Sequence, residues 1–130
     1  MVLTGLTKYR DFGLLLLRVG LGIAFVCHGF PKLMGGPDTW TGLGSRVGLP
    51  LPVVFGFIAA VSETIGGLLL ILGLYFRVAC ILLCGTMLGA LTYHLKDGDG
   101  FNEYAHALES LIVFAALIFI GPGKHSIDKK

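Results

Sequence analysis

VVFGFIAAVSETIGGLLLILGL, residues 53–74, holds a single ionisable side chain, Glu63, and no proline. At a helical rise of about 1.5 Å per residue it is long enough to cross a hydrocarbon core of roughly 30 Å. At 100° per residue Gly56, Ala59, Ala60, Gly66 and Gly67 share the face of Glu63. Small residues mark the side on which membrane helices touch. The stretch therefore reads as a transmembrane helix that turns its one carboxylate into a bundle.

Three more apolar stretches flank it, at Phe12–Met34, Arg77–His94 and Tyr104–Ile120. Composition agrees across the whole chain. Of its 130 residues 55% are hydrophobic and only 14% charged, and mean hydropathy is +0.83. Soluble domains carry about 25% charged residues, and a soluble globule this small cannot hide so much apolar surface. Residues 1–130 are expected to form one all-α domain, a bundle of four transmembrane helices. The segment PDTWTGLGSRVGLPLP (37–52) adds a short interfacial helix in the first outer loop, with Asp38 as N-cap and Trp40 among the headgroups. Tyr75-Phe76 makes a tight hairpin, and DGDGFN (97–102) a polar turn. The apolar run after Lys8 and Arg10 is long and lacks an A-x-A-like site, so the first helix is expected to stay uncleaved.

Basic residues set the orientation. Lys8, Arg10, Arg77, Lys124, Lys129 and Lys130 fall on one side, and Lys32, Arg46 and Lys96 on the other. The bias places both termini in the cytoplasm. A net charge of +2 with scattered basic residues gives no footing for nucleic acid. Cys27, Cys80 and Cys84 lack CxxC spacing, so neither a disulfide framework nor a zinc site is indicated.

Ionisable groups at membrane depth are functional candidates by default. Here they are Arg18, Glu63, His106 and Glu109, with His28 and His94 towards the outer helix ends. Arg18 shares a stripe with Gly22, Phe25, Gly29 and Lys32, again a face with small residues. Rough depth counting places Arg18 within reach of Glu63, so a buried Arg18–Glu63 pair is expected, with Glu109 able to share the guanidinium fork. Such a pair serves packing as readily as chemistry. His28, His94 and His106 gather at one level with Glu109 below, which suggests a polar pocket opening outward. Haem ligation is disfavoured because no two histidines sit deep on facing stripes. A carboxylate-bridged metal is disfavoured because His106-x-x-Glu109 reverses the bundle motif and has no second copy. Cys80 and Cys84 are read as packing residues, and Gly85-x-x-x-Gly89 as a close-packing seam.

Four segments together resemble the DoxX family of small membrane proteins. Arg18-Val-Gly-Leu-Gly and His28-Gly-Phe-Pro-Lys32 are similar to its first helix, and Glu63-Thr-Ile-Gly-Gly followed by a Leu-rich run to Gly73-Leu is similar to its second. Arg77 in the tight turn fits. Gly121-Pro-Gly-Lys-His-Ser-Ile-Asp128 resembles the family's terminal segment, with His125 where Tyr is common. The resemblance implies association with quinol oxidase, thiosulfate:quinone oxidoreductase or thiol-stress systems. The expected function is a quinone-linked accessory subunit in the cell membrane, with the lipid bilayer and another membrane or redox subunit as partners and a homo-oligomer compatible. No electron carrier is visible in the chain, so any redox enzyme would need a partner; a bound quinone is the small molecule the reading allows, and whether the chain is itself an enzyme is left open. The rival is a structural or assembly subunit. A transporter is disfavoured, because four short helices lack broken segments.

Overall fold

The computed structural model describes residues 2–129; Lys130, counted above in the charge bias, lies outside them. After a 3-10 turn at Thr4–Tyr9 come α1 (Arg10–Met34), α2 (Gly36–Val47), α3 (Pro52–Leu72), α4 (Phe76–Lys96) and α5 (Phe101–Ile120). All but α2 are long and apolar enough to cross a membrane. The fold is the all-α, four-span bundle that the hydropathy indicated. Leu16, Ile23, Leu68 and Ile112 point outward with 44% to 66% of their surface open. A belt of that kind is what lipid as solvent demands. Phe25, Leu70, Phe76, Leu83 and Phe114 fill the interior, together with Cys80, which is buried as a small apolar side chain.

Helices α1 and α3 make the tightest antiparallel pair, because glycine faces glycine. A Cβ on Gly67 would come within 2.7 Å of the Gly22 carbonyl, and one on Gly29 within 2.6 Å of Glu63 Cβ. These contacts fix the register: Gly22 is level with Gly67, and Gly29 with Glu63. Helix α4 meets α3 where Leu83 lies over Gly66, and α5 packs on α4. Helices α1 and α5 never bring Cα atoms within 8 Å. Only side chains bridge that gap, led by Phe25 against Phe114, with ring centroids 5.0 Å apart.

Helix α2 starts at Gly36, with Pro37 in its first turn and Gly35 at the N-cap. Asp38 therefore does not cap the helix; it sits in the first turn, where its charge favours the helix dipole. The Trp40, Leu43 and Val47 face turns towards the protein. Trp40 packs edge-on to Phe57 at 4.7 Å and donates its Nε1–H to the Lys32 carbonyl at 3.0 Å. Trp40 is thus a clasp between α2 and the ends of α1 and α3 rather than a free headgroup anchor.

At the opposite end the chain returns beneath the α3–α4 turn. Lys124 N donates to Asp11 Oδ1 at 3.1 Å, so both terminal segments lie together. Gly73 closes α3 at φ +65 and is packed under Ser126 and Arg18, so a side chain there meets both strain and atoms. Asp128 accepts from Tyr75 N at 3.0 Å and Phe76 N at 2.8 Å, capping α4 from a distant part of the chain.

Candidate functional site

Arg18 belongs to that terminal end. Its guanidinium is fully buried, and Nη1 donates to the carbonyls of Leu70 at 3.1 Å and Ile71 at 3.2 Å. Nη2 donates to the His125 carbonyl. Leu70 and Ile71 stand in the last turn of α3, so the cation also meets the negative end of that helix's dipole. Arg18 ties α1, the end of α3 and the C-terminal segment into one lock.

The expected Arg18–Glu63 pair is not formed. Glu63 is level with Gly29, eleven residues along α1 from Arg18, which is roughly 16 Å of helix. Lys32 takes the place instead. Its Nζ lies 3.0 Å from both carboxylate oxygens of Glu63, whose side chain is 4% exposed against 35% for the lysine. Lys32 was legible as a member of the Arg18–Gly29 stripe, yet its position near the first loop disguised it as a surface residue.

The ion pair stands between two cavities. One, of about 570 Å³, lies between α2, α3 and α4. Its walls are largely apolar (Phe55, Ile58, Ile81, Leu82), and its polar end carries Lys32, Glu63, Ser62, His94, Tyr93 and Arg46. Gly85 and Gly89 line it, and a Cβ added to either meets nothing within 4 Å. They are not the helix seam expected from their spacing; they leave a wall of the cavity open.

The second cavity, of about 170 Å³, is bounded by Phe25, His28, Lys32, Glu63, His94, Glu103 and His106, among others. The rings of His28 and His106 are 5.1 Å apart, and Phe25 stacks on His106 at 5.9 Å. Lys32, Glu63 and His94 border both cavities. His94 Nδ1 is 2.7 Å from Asp99 Oδ2, a hydrogen bond that leaves Nε2 as the ring's other polar atom. The loop acid Asp99 and the first-turn acid Glu103 were not singled out in the sequence, since polar loop residues carry no periodic signal.

So Glu63, His28, His94 and His106 come together at the α2 end. Arg18 does not join them, and neither does Glu109. That carboxylate is exposed on the outward flank of α5 and lines neither cavity. An i, i+3 step turns a helix by 300°, so Glu109 lies 60° round from His106, and that angle is enough to leave the pocket. Among the described residues, no group of three or more His, Cys, Asp and Glu side chains is placed to hold a metal ion.

Residues 13–95, which include Arg18, Lys32, Glu63 and His94, match the DoxX family model. An uncharacterized protein of Haemophilus influenzae is 33% identical, over 98% of this chain and 97% of its own length. Escherichia coli inner membrane protein YphA is 29% identical over 95% and 97%. A Bacillus subtilis protein named "Putative oxidoreductase CatD" is 37% identical over 82% and 80%. No solved structure matches the chain.

Proposed function

The chain belongs to the DoxX family, and on that footing we propose that it is a quinone-linked accessory subunit of a membrane redox system, embedded in the plasma membrane with both termini cytoplasmic. The observation that carries this reading is the Lys32–Glu63 pair standing between an apolar cavity and a histidine-lined one. An isoprenoid quinone has a polar ring and an apolar tail. The larger cavity offers apolar walls at membrane depth and, at one end, a donor and a proton acceptor. Ligand sites commonly occupy about 300–1,000 Å³ and combine apolar walls with a few convergent polar groups.

Bound there, a quinone would supply two-electron, two-proton chemistry, with the electrons exchanged through a partner subunit. The chain's own residues do the rest. Lys32 Nζ is positioned to donate to a ring oxygen, and Glu63 to exchange a proton with it. His94, held by Asp99, faces the same cavity. On the far side, His28, His106 and Glu103 provide titratable steps towards the aqueous surface. The name carried by the Bacillus relative agrees with a redox setting.

The test is mild-detergent purification followed by mass spectrometry of extracted quinones. Wild-type protein should retain quinone, and Gly89→Leu, which puts a side chain on the cavity wall where an added Cβ meets nothing within 4 Å, should lose it while melting normally. Equal quinone in the two, or none in wild-type protein prepared in native lipid, removes this reading in favour of an assembly subunit.

A further inference from the structure

Helix α5 carries two seams. Ala107, Ser110, Phe114 and Leu117 are buried in the bundle. On another flank Asn102, Ala105, Glu109, Ile112, Ala116 and Phe119 recur at steps of three and four residues. That alternation is the spacing at which one helix keeps a single face against another. Yet none of the described residues covers this seam. Ala105 is half-buried and the other five are exposed, Ile112 at 60% and Phe119 at 85%.

Lipid alone does not account for the pattern. Glu109 lies eight residues, or about 12 Å, inside the end of α5, near the middle of the span. It forms no hydrogen bond or salt bridge with any described residue. A carboxyl group at that depth is expensive, and almost always faces protein or water rather than hydrocarbon.

We infer that this seam is where two copies of the chain meet, α5 against α5, about a two-fold axis normal to the membrane. Such a pair sets every residue against its own copy at equal depth, so each polar position must complement itself. Both polar positions do. Two Glu109 carboxyl groups can share a proton across the axis, and the Asn102 amide both donates and accepts. Ala105 and Ala116 are small, which lets the backbones approach. A cation-bearing helix of another protein would satisfy Glu109, but leaves Asn102 and the flanking alanines without a reason. This inference stands apart from the quinone reading, because His106 lies off the seam.

The test is disulfide trapping in native membranes, on a Cys27→Ser background. Ala105→Cys and Ala116→Cys, each about one turn from an end of α5, should give covalent dimers. Leu88→Cys, exposed on α4, should not. Adding Glu109→Leu should cut the trapped fraction about tenfold at equal protein density, as loss of an interhelical hydrogen bond would. Glu109→Gln should keep it, since an amide complements itself. Normal melting of the Glu109→Leu variant establishes that the fold persists. Equal trapping at all three cysteine positions, no effect of Glu109→Leu, or adducts only of another protein's mass overturns the inference.

Discussion

Removing Lys32 should harm the protein more than removing Glu63, although the two form one ion pair. The asymmetry follows from burial: the carboxylate side chain is 4% exposed and the lysine 35%. Lys32→Met keeps the shape of the side chain but strands Glu63 inside the bundle. Stranding one member of a buried pair costs roughly 3–5 kcal/mol. Water entering the adjacent 170 Å³ cavity relieves part of that, so the lower bound, about 3 kcal/mol, is expected. Glu63→Gln instead strands a lysine near a helix end. Its flexible stem can carry the ammonium to the headgroups, so the cost is about 1 kcal/mol. The double variant should lie about 2 kcal/mol below wild type rather than the sum of about 4, a coupling of about 2 kcal/mol. Unfolding in mixed micelles by sodium dodecyl sulfate titration measures all four corners of the cycle. Additive costs, or a Glu63→Gln variant less stable than Lys32→Met, would refute the pairing. The same cycle on Arg18 and Glu63 should show no coupling, since eleven residues of α1 separate their levels.

Two further outcomes are expected. Asp128→Ala removes the cap on α4 and should cost about 1–2 kcal/mol, freeing the C-terminal segment to protease while the larger cavity keeps its ligand. Cysteines introduced at exposed Asp97 and Lys124, against a background lacking native cysteines, should react with membrane-impermeant thiol reagents from opposite sides, position 97 from outside; the reverse labelling contradicts the orientation drawn from the basic residues.

The four spans were legible because hydropathy and length are local properties, and each boundary of those four helices falls within three residues of its expected place. The inward faces of α1 and α3 were legible too, from the small residues beside Arg18 and Glu63. What was not legible is relative register. The Gly22–Gly67 contact decides which residue of α1 stands level with Glu63, and no periodicity within one helix encodes that. The Gly85–Gly89 spacing misled for a related reason: glycines at a four-residue interval admit either a neighbouring helix or empty space, and here α2 props the space open. Glu109 seemed part of the pocket because i, i+3 residues are neighbours, but the edge of the pocket passes between them. The roles of Gly73, Ser126 and Asp128 emerge only once the chain's end is seen to fold under the α3–α4 turn.

The most direct test of the central claim is photolabelling with an azido-quinone in membrane discs extracted without detergent. Adducts are expected on the walls of the larger cavity, in 55–63 of α3 and 81–94 of α4, suppressed by excess unlabelled quinone and abolished by Gly89→Leu. Adducts confined to the smaller, histidine-lined cavity, or labelling that Gly89→Leu leaves unchanged, would contradict the claim.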